Sequence, residues 1–281
     1  MHPVLFQFGP ITIYTYGVLV ATGVLLGLWY ARRQAPRAGL GRDTIWNLGI
    51  YMVVAALVAA KLWLVLSDWE YYMANPGAIL SAATLQSGGT FYGGMLGGVL
   101  AIVVYAYFYD LPVLSVSDTF AAAIPLGHAI GRLGCFAAGC CYGKPTTLPW
   151  GVTFTSEVAE RLAGTPLGVP LHPTQLYEAA GEFLNFLLLV WLGARQRFTG
   201  QMIGAYFILY GIERGTIELF RGDPGRTLLF HGELSLMQVV SLGLVLTGAL
   251  LWWRGLRRMG QIDAATPAPA QAHAEGSPRA S

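Results

Sequence analysis

Seven stretches of about 20 mostly apolar residues, centred near positions 21, 55, 100, 127, 185, 210 and 243, constrain this 281-residue chain more than any other feature. A helix needs roughly that length to cross the hydrocarbon core of a bilayer. Only 11% of the residues are charged and 54% are hydrophobic, whereas a soluble domain carries about a quarter charged residues. The expected fold class is therefore an all-α integral membrane protein with about seven transmembrane helices. The 36 glycines and eight tryptophans suit close helix packing and interfacial anchoring. A formal charge of +2 gives no reason to expect nucleic acid as a partner. Met1 to Pro10 holds no Lys or Arg, so the first apolar segment is expected to stay rather than to be cleaved as a signal peptide.

Basic residues set the orientation. Arg32, Arg33, Arg37 and Arg42 lie in the first connection, Arg195 and Arg197 in the fifth, and Arg254, Arg257 and Arg258 flank the last span. All three stretches fall on one side if the seven spans are real. By the excess of Lys and Arg in cytoplasmic loops, this places the N-terminus outside and the C-terminus in the cytoplasm. The longest connection, 137–174, contains five prolines and is expected to form a small extramembrane cap on the outer side. Residues 1–261 thus form the transmembrane domain. The Ala/Pro/Ser-rich 262–281 reads as a disordered tail. No internal repeat is evident.

Ionisable groups inside such spans are costly and usually functional. In YGIERGTIELFRG, Tyr210, Arg214, Glu218 and Arg221 recur at a spacing that puts them on one helix face. Glu218 can neutralise one arginine but not both, so the face is expected to carry net positive charge suited to a phosphate. His128, Arg132 and Cys135 share a face of the fourth span, and Gln175, Glu178, Glu182 and Asn185 share one on the fifth. The three polar faces are expected to converge on one cavity. Each also has a plainer reading: Arg214 with Glu218, or Arg132 with Glu178, as pairs that only hold the bundle together. Gly93, Gly94, Gly97 and Gly98 read as close helix packing rather than a phosphate loop. Lys61 either snorkels or pairs. Cys135, Cys140 and Cys141 match no usual zinc spacing and read as inert small residues, with a redox role for the vicinal pair as the rival. No metal site is expected.

These segments together resemble the bacterial phosphatidylglycerol prolipoprotein diacylglyceryl transferases. The likeness runs through Tyr16-Gly17, Gly93-Gly94, IPLGHAIGRLG at 124–134, HPTQLYE at 172–178 and YGIERGTIELFR at 210–221. It implies a seven-span enzyme of the bacterial inner membrane that transfers diacylglycerol from phosphatidylglycerol to the lipobox cysteine of a prolipoprotein signal peptide, leaving a thioether and glycerol phosphate, with no cofactor. By position, Arg132 and Arg214 match the family's essential arginines, and Glu218 and Arg221 match the acid and base that follow on the same helix. Tyr16, Gly143 and Tyr210 match further motif positions, and His172, Gln175 and Glu178 lie in the motif that HPTQLYE resembles.

The chain departs from the family pattern in four places. Tyr92 stands where His precedes the Gly-Gly pair, Cys135 where Asn follows Arg-x-Gly, GCCYGK where a Glu-containing segment is usual, and Lys61 where Arg is expected. Tyr92 is then expected to serve as a hydrogen-bond partner, and His128, one turn before Arg132, is the candidate base. The rival functions are an anionic-lipid or solute transporter or flippase, and a membrane thiol oxidoreductase.

Overall fold

A computed structural model of the chain describes residues 2–9, 11–81, 84, 89–224, 226–229 and 233–265. The chain opens with a hairpin of β1 (Val4–Phe8) and β2 (Ile11–Tyr14), turned at Gly9. The long helices follow: α1 (Thr15–Gln34), α2 (Arg42–Ser67), a short α3 (Trp69–Ala74), α4 (Phe91–Phe108), α5 (Val113–Ala121) and α6 (Ala123–Ala138). A small layer comes next, with β3 (Val152–Thr153), α7 (Glu157–Ala163) and β4 (Pro170–Leu171). Then run α8 (Thr174–Gly193) and α9 (Gln201–Ile217), a hairpin of β5 (Leu228–Leu229) and β6 (Leu234–Ser235), and α10 (Leu236–Ala265). The helix α10 covers the first residues of the expected tail, and the rest of the tail lies outside the described residues.

Polarity is inverted relative to a soluble protein. Gln175, Glu178, Glu182 and Glu218 are at most 1% exposed, whereas Leu25, Leu57, Leu100 and Leu246 are 59–62% exposed on the outer helix faces. Water on those faces would be unfavourable, and lipid is the solvent that fits. Arg42–Ser67, Thr174–Gly193 and Leu236–Gln261 are each long and apolar enough to cross a bilayer, and Val113–Ala121 with Ala123–Ala138 qualify together across a 43° bend. Among the described residues that is three or four spans by length and composition, fewer than the seven that the sequence leads one to expect. The shortfall has local causes. The helix α9 is only 17 residues long and carries Glu213 and Arg214, and α1 ends in Arg32 and Arg33. The expected fourth span breaks at Ala122 because Pro125 has no N–H to give to the carbonyl one turn earlier.

Glycine sets the close crossings. A Cβ on Gly23 of α1 would stand 2.5 Å from the Gly127 carbonyl oxygen of α6, so these two helices touch backbone to backbone. A Cβ on Gly93 or Gly97 of α4 would likewise stand 2.5 Å from the carbonyl of Ala59 or Ala55 on α2. At one end of the molecule Ala31, Ile45, Leu48, Val116 and Phe120 pack as a core, and Asp118 accepts bonds from the Gly200 and Ile203 amides at 2.6 and 2.9 Å. That carboxylate holds the N-terminus of α9. Four arginines lie over tryptophan rings at this same end: Arg32 over Trp46, Arg33 over Trp29, Arg195 over Trp191 and Arg257 over Trp253.

Candidate functional site

The other end carries the charge. Arg132, in the third turn of α6, places Nη2 2.7 Å from Glu178 Oε1 on α8, and its Nε donates to His128 Nε2 at 3.2 Å. Because that ring nitrogen accepts, the proton sits on Nδ1, which meets Glu182 Oε1. Helical spacing supplies the geometry: His128 and Arg132 are one turn apart, as are Glu178 and Glu182. The two carboxylates are wholly buried. Tyr210 of α9 stacks on Tyr206, ring centres 5.6 Å apart, and packs its ring against that of His128 at 5.9 Å.

The C-terminal end of α9 continues the network. Arg214 Nη1 donates to Glu218 Oε2 at 2.6 Å, while the other oxygen of Glu218 accepts from Arg226 Nε at 2.7 Å. Arg221 forks onto both oxygens of Asp223 at 2.5 and 2.7 Å. Burial opposes charge on Arg221, but the Asp223 bonds outweigh it and hold the guanidinium above its usual range. Asn185 donates to Glu213, whose carboxylate fills the space that a side chain at position 181 would need. The arginines therefore alternate with acids instead of forming the net positive stripe that the spacing suggested. Asp223 and Arg226 lie beyond the helix end, where periodicity gives no signal. Glu213, one residue off the polar face, is likewise drawn in by Asn185.

Gly143 marks where three chain segments cross. Its N–H donates to the His172 carbonyl at 3.0 Å, Lys144 N–H donates to the Phe220 carbonyl at 2.8 Å, and Gly222 N–H returns to the Tyr142 carbonyl at 3.1 Å. A Cβ at 143 would stand 2.5 Å from His172 Cβ and 2.9 Å from the Phe220 carbonyl. Only glycine fits, because backbone, not a flexible side-chain tip, is what it would meet. Gly143→Ala is expected to cost about 1–3 kcal/mol, read as a lowered unfolding midpoint in detergent. An unchanged midpoint would mean that these segments do not meet as tightly as described.

Several other sequence candidates make contacts of their own. His172 packs with Tyr177 and Phe220, and Trp150 donates to the Tyr177 hydroxyl at 2.8 Å, forming an aromatic group beside the crossing. Gln175 instead donates to the Cys140 carbonyl at 2.7 Å. Tyr16 opens α1 and packs its backbone on Gly134 of α6. Tyr92, Gly93 and Gly94 belong to α4, where Gly93, Gly94 and Gly97 face α2. The small layer between α6 and α8 holds together through Phe154, Leu171 and Tyr142, the last donating to the Gly164 carbonyl at 2.9 Å. A cavity of about 440 Å³ lies at the opposite end of the bundle, lined by Tyr30, Arg37, Asp118 and Arg197 among others.

This arrangement is a charged, buried junction of three helices, with two guanidinium groups supplied from separate elements. Residues 3–254 match the profile of the family described as prolipoprotein diacylglyceryl transferase. The chain is 32% identical over 252 residues to the phosphatidylglycerol–prolipoprotein diacylglyceryl transferase of Clostridium tetani, covering 90% of this chain and 97% of that one. It is 37% identical over 253 residues to the same-named protein of Finegoldia magna, covering 89% and 94%. Against that of Synechococcus elongatus it is 35% identical over 264 residues, covering 91% and 89%. With one profile spanning nearly all of its length and relatives this similar across nine-tenths of it, the chain belongs to the prolipoprotein diacylglyceryl transferase family.

Proposed function

We propose that this protein transfers the diacylglyceryl group of phosphatidylglycerol to the lipobox cysteine thiol of prolipoproteins. The sulfur forms a thioether bond to the glyceryl carbon as the carbon–oxygen bond to phosphate breaks, and glycerol phosphate leaves with that electron pair. The observation that carries the reading is the pair of arginines on separate helices, Arg132 held by Glu178 at 2.7 Å and Arg214 by Glu218 at 2.6 Å, with Tyr210 packed against the His128 ring. Among the described residues, the partners of Arg132 engage its Nε and Nη2, and the partner of Arg214 engages Nη1 alone. A guanidinium has five N–H donors, so both retain donors for a departing phosphate, where charge develops in the transition state. Arg221, Glu218 and Tyr210 frame the same headgroup. Tyr16, Gly93, Gly94, Gly143, His172, Gln175 and Glu178 shape the surfaces for lipid and peptide, and Tyr92 serves as a hydrogen-bond partner.

His128 takes the thiol proton on Nε2, which must first exchange the Arg132 Nε–H 3.2 Å away for the thiol. Glu182 orients its ring as a carboxylate orients a catalytic imidazole elsewhere. His128→Ala is expected to lower the rate by about 100-fold or more. A variant with the wild-type rate would remove His128 as base.

The setting follows from the same reading. Seven spans, an outer N-terminus, an outer cap at 137–174 and a cytoplasmic tail at 262–281 put the charged junction near the outer leaflet of a bacterial inner membrane. The four arginine–tryptophan pairs at the opposite end fit the cytoplasmic interface. Purified protein incubated with phosphatidylglycerol and a lipobox peptide is expected to yield diacylglyceryl peptide, and a Cys→Ser peptide none. Absence of covalent product would favour lipid transport, and full function with Cys140 and Cys141 both replaced by serine would exclude thiol redox chemistry.

A further inference from the structure

The three cysteines that the sequence spacing left as isolated small residues meet in space. Cys135 stands in the last turn of α6, Gly139 ends that helix in the left-handed region at φ +82°, and the reversal carries Cys140 and Cys141 back toward it. Their sulfur atoms all lie within 4.8 Å of one another. We propose that Cys135, Cys140 and Cys141 form a site for one thiophilic d10 cation, Zn2+ or Cu+, beside Arg132. Three sulfurs at about 2.3 Å from a common ion stand about 3.8–4.0 Å apart, so closing the site takes shifts within about 1 Å.

Two further observations favour a built site over chance proximity. Cys141 adopts φ +61°, a conformation that costs a residue with a side chain roughly 1–2 kcal/mol and that glycine would take freely. The turn is also clamped from α8, where Thr174 Oγ1 donates to the Cys141 carbonyl and Gln175 Nε2 to the Cys140 carbonyl, both at 2.7 Å. Such outer bonds hold ligands in place. Arg132 precedes Cys135 by one turn on α6, which puts a guanidinium on the same helix face to offset part of the charge of three thiolates around a single ion. Soft thiolates select these metals, and binding releases the three thiol protons to water.

Three protein ligands leave a fourth position on zinc open. A prolipoprotein thiol can enter it, giving its proton to His128 as in the proposed reaction, and would then present a thiolate beside Arg132. This last step rests on the transferase reading, whereas the metal site does not.

The test uses the reduced full-length protein in detergent with Cd2+ as the probe, in the absence of lipid. One equivalent is expected to bind with a sulfur-to-metal charge-transfer band that Zn2+ displaces and that the variant carrying C135S, C140S and C141S lacks. Because that variant can misfold, Zn2+ protection of the three wild-type thiols from alkylation, counted by mass spectrometry, is the second measurement. No band in the wild type, an undiminished band in the variant, or thiols alkylated equally fast with and without Zn2+ would each overturn the site. Adding lipobox peptide is expected to strengthen the Cd2+ band, and a band unmoved by peptide overturns the open position. These readouts need no turnover, so they can fail while transfer proceeds, and transfer can fail while they succeed.

Discussion

Replacing Arg132 with alanine is expected to lower diacylglyceryl transfer by at least about 100-fold and up to about 1,000-fold, the effect of removing one preorganised donor from a site of developing negative charge. Two losses are combined in that variant. The departing phosphate loses a charged donor, and Glu178, 1% exposed, loses the cation that its carboxylate faces at 2.7 Å. An unpaired buried carboxylate destabilises the bundle whatever the chemistry. Combining Arg132→Ala with Glu178→Gln separates the two, because the neutral amide no longer needs the arginine. The double variant is expected to accumulate in membranes and unfold near the wild-type temperature while still failing to lipidate a peptide. Arg132→Lys keeps the charge but gives up the fork that binds phosphate through two nitrogens, so intermediate activity is expected. Transfer within threefold of wild type in the double variant would show that the headgroup is held elsewhere.

Much of this was legible before any coordinates. Helical spacing alone put His128 and Arg132 on one face and Glu178 and Glu182 on another, and the structure brings those faces together. The apolar runs gave the helices, because the bilayer demands a continuous stretch of internally bonded backbone. Contacts that join segments by backbone were not legible. Nothing in GCCYGK announces that Gly143 touches both His172 and Phe220, since a glycine records only that a side chain is absent. Nor does spacing reveal that Arg221 turns to Asp223 or that Arg226 reaches back to Glu218. Those residues follow the helix, where the 3.6-residue period has ended. The proximity of the three cysteines was hidden for a related reason: regular ligand spacing assumes a hairpin or helix between ligands, whereas here a left-handed helix end makes the reversal.

Loss of the Glu218 carboxylate should produce a large stability change. Glu218 is 1% exposed and joins Arg214 to Arg226, whose guanidinium also reaches the Glu218 carbonyl at 3.3 Å. Glu218→Ala leaves two cations facing each other with the shared anion gone. Removing one member of a buried ion pair typically costs about 3–5 kcal/mol, and the partial exposure of the Arg226 side chain, 20%, places the expected loss toward the lower end of that range. The measurement is unfolding of the purified protein in detergent, with Glu218→Gln beside it to keep the volume and hydrogen bonding while deleting the charge. A double-mutant cycle assigns the cause. Arg226 also donates Nη1 to the Arg221 carbonyl at 3.0 Å, so Arg226→Ala is expected to cost less, but not nothing, in the Glu218→Ala background than in the wild type. The Arg214 side chain, 7% exposed, would still be unpaired, so recovery is partial. Additive losses, or a loss below about 1 kcal/mol in the single variant, would mean that the end of α9 is fixed by the backbone crossing at Gly143 instead. In that case the position of Arg214, and the proposed reaction with it, would depend on the glycine rather than on the ion pairs.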